Sequence, residues 1–181
     1  MNRWLGVCVA IFMVTAACGD SSGTEENAAT TVPGVQEPDS TNPATAQGSA
    51  DDLAITEVVF GDHVTISNLG SDAVSVAGLW LCNRPSYTEL PTAVIAAGAS
   101  LDIPADALGN LAAGGGEVAL YTSNSFGDPS AMLDYVGWGS GGGRLSVAEE
   151  AGLWPAGESV VASGTAISAP AGGASAADWS P

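Results

Sequence analysis

Past residue 52 the chain offers only short apolar runs. Gly, Asn, Asp and Pro cut them before any reaches the length of an ordinary helix. Most alternate apolar with polar, the two-residue period of a half-buried strand. "LAITEVVF" (53–60) reads as a strand, and "GDH" as the tight turn that ends it. "VTIS" (64–67) puts Val64 and Ile66 on one face before "NLGSD" turns the chain. "AVSVAGLWLC" (73–82) alternates at Val74 and Val76, then continues at Leu79 and Leu81 past Gly78, read as the site of a bulge. "TAVI" and "SLDI" flank the turn "AAGA", and "EVALY" sets Val118 and Leu120 on one face. "MLDYVGW" follows the loop "TSNSFGDPSA", and "GESVVAS" reads as a late strand. "IPADALGNLAAGG" allows one short helical turn. Strands this short, at this spacing, predict an all-β sandwich or barrel. A domain of this size buries about two thirds of its unfolded surface, which supports a core without disulfides.

The residues ahead of this region cannot fold the same way. "GDSSGTEENAATTVPGVQEPDSTNPATAQGSADD" (19–52) has almost no large apolar residue, so burial cannot offset the entropy of ordering it. Residues 18–52 are therefore expected to be a disordered, acidic, Ser/Thr/Pro-rich linker. A flexible chain of that length spans about 30 Å on average, enough to act as a tether.

The first residues explain what the tether holds. Met1-Asn2-Arg3 carries one positive charge, and the uncharged "WLGVCVAIFMVTAA" follows. That run is too short to span a bilayer, which takes about 20 residues. A positive start, a short apolar stretch and small residues before a cut site read as an export signal over residues 1–17. The stretch ends Thr15-Ala16-Ala17-Cys18, which resembles the lipobox of bacterial lipoprotein signals, although Thr15 stands where that box usually has Leu or Val. The resemblance implies cleavage before Cys18 and acylation of its thiol. The expected location is outside the cell, lipid-anchored to the bacterial membrane and facing outward. Removing residues 1–17 from the 181 leaves 164, enough for the linker and one domain (53–181).

Charge narrows the partners. The net charge is −17, no lysine is present, and once Arg3 leaves with the signal the cations are Arg84 and Arg144. Such a surface repels nucleic acid phosphates and anionic head groups, so membrane attachment rests on the lipid at Cys18. Cys8 leaves with the signal and Cys18 is acylated, which leaves Cys82 without a disulfide partner. A lone thiol of this kind is expected to be buried as a small apolar group.

The segment "ITEVVFGDHVTISNLGSDAVSVAGLWL" resembles the opening of the lamin tail domain. Ile55, Glu57 and Val58 fit that family's Ile-x-Glu-Val start; Asn68 and Gly70 fit its strand end and turn; Val74, Val76 and Gly78 fit its third strand. "AAGASLDI", "GGGEVALY", "LDYVGWG" and the closing "SGTAISAP" and "ASAADWSP" follow in the family's order, so the resemblance runs from about Leu53 to Trp179. It implies an immunoglobulin-like β-sandwich. It implies no single reaction. The tryptophan after Gly78 comes one place late, at Trp80, and Thr65–Ser67 lacks the family's Trp-Val-Glu-Leu run.

The candidate site residues are few. His63, the single histidine, falls in a turn beside Asp62. A hydrolytic triad would need a nucleophile on a sharp elbow, and no Gly-x-Ser-x-Gly is present. One His and one Cys fall short of the three or four ligands of a zinc site. Glu57, Asp62, Asp128 and Asp134 lie near strand ends, where sandwich loops can offer oxygens to calcium; they read as solvated acids, with Asp134 bonding a turn. Trp80, Trp138, Trp154, Tyr87 and Tyr135 read as core, with a sugar- or peptide-binding face as the other reading. "GWGSGGGRLS" reads as a mobile loop holding Arg144, not as a phosphate loop, since no Lys-Ser/Thr follows. The expected function is a non-catalytic binding or structural module, with an unknown protein or glycan of the cell envelope as partner. No metal, cofactor or nucleic acid is expected. The other classes are a calcium-dependent adhesion or carbohydrate-binding domain, and a hydrolase built from clustered acids, His63 and Cys82.

Overall fold

A computed structural model describes residues 48–181, which form an all-β sandwich of ten strands with one helix. The front sheet has the order β10-β1-β2-β7: β1 Leu53–Val59, β2 His63–Asn68, β7 Ser100–Pro104 and β10 Ala166–Ser168. The back sheet has the order β5-β4-β8-β9: β4 Trp80–Asn83, β5 Ser86–Glu89, β8 Gly115–Tyr121 and β9 Met132–Gly139. A two-stranded pair, β3 Val74–Ser75 and β6 Val94–Ile95, completes the set. Every strand pairing within the sheets is antiparallel. The signal segment, Cys8, Cys18 and most of the linker lie outside the described residues. Residues 48–52, assigned to the linker on composition, are tied to the domain. Gly48 donates its N–H to the Ala73 carbonyl, and Ser49 and Asp52 form a reciprocal capping box around a short 3-10 turn.

The alternation seen in the sequence sets the inner faces. Val64 and Ile66 point inward from β2 and oppose Ile103 and Leu101 of β7. In β1 the alternation breaks. The register steps between Ile55 and Glu57, so Thr56 is an extra residue and both Ile55 and Val58 are fully buried. Leu81, Val118, Leu120 and Val136 close the core from the back sheet. Asn68, fully buried, donates through Nδ2 to the Asp72 and Ile95 carbonyls and accepts from Gly70 N–H, which joins the β2 end to β6.

Three expectations are corrected. Gly78, with φ +81, is not a bulge but a turn that divides "AVSVAGLWLC" into β3 and β4, which belong to different sheets. "GESVVAS" contributes only a single bridge from Val160 to Trp138, and the last sheet strand is β10. The glycine-rich loop ends in a helix, α1 (Leu145–Ala151), that runs into a left-handed Gly152. Its Leu, Ala and Glu residues favour a helix, and two turns packed on a sheet need no long periodic pattern.

α1 and the 122–131 loop cover the outer face of the back sheet. Strand β8 is therefore buried on both sides: Val118 and Leu120 face the front sheet, while Glu117, Ala119 and Tyr121 lie under the cover. Tyr135 and Trp154 meet edge to face there, with ring centroids 5.4 Å apart.

Candidate functional site

The two arginines of the described chain converge at one end of this covered face. Arg84 lies in the turn of the β4–β5 hairpin and donates Nη1–H to the Gly143 carbonyl at 3.1 Å. Arg144 precedes α1 and donates Nη2–H to the Tyr87 hydroxyl at 2.9 Å, with its guanidinium carbon 5.8 Å from that ring's centroid. Tyr87 stacks at 4.3 Å on Phe126, which also meets Trp80 at 5.8 Å and Tyr121 at 5.3 Å. Cross-strand register places these groups together: Trp80 opposes Tyr121 and Cys82 opposes Tyr87. Arginine planes beside one exposed and two partly exposed rings suit a carboxylate-bearing ligand with an apolar or sugar portion. The surface splits the five aromatic candidates. Trp80 and Tyr87 face outward, whereas Trp138, Trp154 and Tyr135 are core. Phe126, which completes the patch, sits in a loop with no periodic pattern to single it out.

Beneath the patch lies Glu117, whose carboxylate is almost fully buried. Oε2 accepts the Arg144 backbone N–H at 2.6 Å, which satisfies a donor at the start of α1, and lies 3.4 Å from the Tyr135 hydroxyl. Burial raises the Glu117 pKa above the usual carboxylate range. The amide, the hydroxyl and the two guanidinium charges oppose that rise. Glu117 opens the apolar run "EVALY", where sequence reasoning singled out only Val118 and Leu120; the cover over β8 is what buries it.

Cys82 is fully buried on the same face, and burial pushes its thiol up to about 11 against the pull of the Arg144 guanidinium. Folded protein is expected to resist Ellman's reagent at this position, with labelling, located by peptide mapping, appearing only after unfolding in guanidinium. Rapid modification of Cys82 in the native state would contradict this placement.

His63 lies elsewhere, at the start of β2 on the front sheet. Its Nδ1 is 3.0 Å from Asp62, and its Nε2 is 3.9 Å from both Glu57 and Asp102. Only Asp62 is within hydrogen-bond distance of the ring, and Asp102 accepts the Thr65 hydroxyl at 2.7 Å; among the described residues no group of three or more His, Cys, Asp or Glu side chains is placed to hold a metal ion. His63 and Cys82 stand on different sheets. Asp128 is apart from both and exposed. It caps the 129–131 turn through the Ser130 amide and hydroxyl, which hold its carboxyl below the usual range.

Asp134 bonds across the sandwich. Its Oδ2 accepts the Ile55 N–H of the front sheet at 2.7 Å, and Oδ1 accepts its neighbour Tyr135 N–H at 2.8 Å. Burial, partly offset by these two bonds, lifts its pKa to about 7. This is a structural bridge between sheets, not the turn bond expected from sequence. No family model, curated protein or solved structure matches the chain.

Proposed function

We propose that this protein is an exported, lipid-anchored lipoprotein whose lamin-tail-like sandwich works as a non-catalytic binding module at the cell envelope. The observation that carries the binding part is the convergence of Arg84, Arg144, Tyr87, Phe126 and Trp80 on one surface of a chain with net charge −17. In so acidic a protein, this is the place where a carboxylate group of an envelope protein or glycan is attracted rather than repelled. The anchoring part is supported by the lipobox-like run ending at Cys18 and by the polar linker that follows it. Separation of His63 from Cys82, on different sheets, favours binding over hydrolysis.

Fractionation of cells that express the full chain tests both parts. Cys18→Ser is expected to move the protein out of the membrane fraction or leave its signal uncut. Arg144→Glu is expected to keep the membrane location and to lose the envelope component that cross-links to the wild type. A processed Cys18→Ser chain that still sediments with membranes would overturn the anchor. Unchanged cross-linking of Arg144→Glu would overturn the binding surface.

A further inference from the structure

A cavity of about 360 Å³ lies beside the arginine–aromatic surface, between the β4–β5 hairpin, the start of β8 and the glycine run 141–143. That volume is within the range of small-ligand sites. Its wall is mostly backbone: Gly109, Gly115, Gly116 and Gly141–Gly143 all contribute. The two charged side chains that line it are of opposite sign, Glu117 and Arg84.

The state of Glu117 calls for a partner. The residue is 2% exposed, and while Oε2 is committed to Arg144 N–H, Oε1 is buried with no hydrogen-bond partner among the described residues. A buried carboxyl oxygen left this way is costly in either protonation state, because an ionised oxygen lacks a donor and a protonated one lacks an acceptor. Arg84, by contrast, is exposed and uses one of its five N–H donors, on the Gly143 carbonyl. Glu117 thus brings one unmet acceptor to the cavity wall, closed off in this structure, and Arg84 brings several unmet donors to its rim.

We propose that this cavity binds a small zwitterion, a primary ammonium that donates to Glu117 Oε1 and a carboxylate that pairs with the Arg84 guanidinium, as in a free amino acid or a short peptide. The ammonium satisfies the buried oxygen, and the carboxylate takes the fork geometry that a guanidinium favours. Oε1 is closed to bulk solvent, so the proposal includes a local opening of the cavity wall, for which the all-glycine 141–143 segment has no side chains to move. The site does not rest on the anchor or on Arg144 as a docking group, and it stands if the cross-linking test above fails.

Calorimetric titration of the full-length protein in detergent, with three probes, tests the assignment. Glycylglycine carries both charges, N-acetylglycine lacks the ammonium, and glycinamide lacks the carboxylate. Glycylglycine is expected to bind saturably, and each of the other probes at least about tenfold more weakly, the weight of one charge-assisted bond. Glu117→Gln should weaken glycylglycine by a similar factor. Arg84→Gln, at an exposed position, should weaken glycylglycine and leave glycinamide unchanged. Absence of saturable glycylglycine binding would overturn the proposal, as would a folded Glu117→Gln variant that binds with wild-type affinity. If Glu117→Gln does not fold, the Arg84→Gln comparison decides: loss for glycylglycine alone supports the site, and equal effects on both probes overturn it.

Discussion

Wild-type protein is expected to lose stability between pH 4 and pH 7, and Asp134→Asn is expected to remove that loss. Asp134 holds its proton up to about pH 7 in the folded chain, because burial disfavours the charge more than the Ile55 and Tyr135 amides favour it. In the unfolded chain the same group titrates near 3.9. Between those values the native state binds the extra proton, so raising the pH pulls the equilibrium toward the unfolded state. The penalty is absent below about pH 4, grows through the window and levels off above pH 7, at an order of 2–4 kcal/mol. General repulsion in so acidic a chain acts in the same direction, which is why the difference between the two proteins is the quantity to read. Denaturant midpoints at pH 4.5 and 7.5 for wild type and Asp134→Asn provide it. Parallel behaviour of the two would mean that Asp134 is not the group that senses pH. At pH 4.5 Asp134→Leu should be less stable than Asp134→Asn by about 1–3 kcal/mol, because the Ile55 amide then has no acceptor between the sheets.

Trp138→Ala is expected to cost about 3–5 kcal/mol, the range for emptying a large aromatic site in a packed core. Trp138 is the largest fully buried side chain of the described residues. It leans on Phe60 with ring centroids 5.6 Å apart, and its Nε1–H donates to the Ala112 carbonyl at 2.9 Å. Trp138→Phe keeps most of the volume and loses that bond, so it should fall well short of the alanine variant. The cross-strand partner is Gly116, and a Cβ built there would lie 2.6 Å from the indole. Gly116→Ala should therefore destabilise the protein despite adding only one methyl group. Equilibrium unfolding of the three variants checks the order. A Trp138→Ala protein within about 1 kcal/mol of wild type would show that the site collapses around the loss.

Much of this fold was legible in the residues themselves. Val64 with Ile66, Val118 with Leu120, and Leu79 with Leu81 announce strands with one apolar side, and turns at "GD", "NLGSD" and "AAGA" separate them, with His63 taken into strand β2 rather than the turn. Asn68 marks the end of a strand in the sequence and does so in the fold. Strand β5 was not legible, because "SYTE" is polar at an edge and gains its place by pairing with β4. Nor was α1, whose seven residues follow a glycine run and pack only Leu145, Val147 and Ala148 against the core. The Arg84–Arg144–Tyr87–Phe126 cluster draws on the ends of three separated segments, so no local spacing could announce it.

Sequence alone determined the class of architecture, since two-residue alternation is a local property, whereas residues 48–52, polar in composition, belong to the folded body through the Gly48–Ala73 bond that only the fold supplies. Tertiary structure decided which of the alternating faces meets water. The pattern in "EVALY" distinguishes two sides of a strand, but one is inner and the other outer only once a second layer is placed against it. Here α1 and the 122–131 loop settle on the outer side of the back sheet, and that one placement turns Glu117, Cys82, Tyr121 and Tyr135 from half-exposed residues into a buried, electrostatically strained group. The physical reason is that burial shifts the cost of charge, and burial is a property of neighbours far away in the chain.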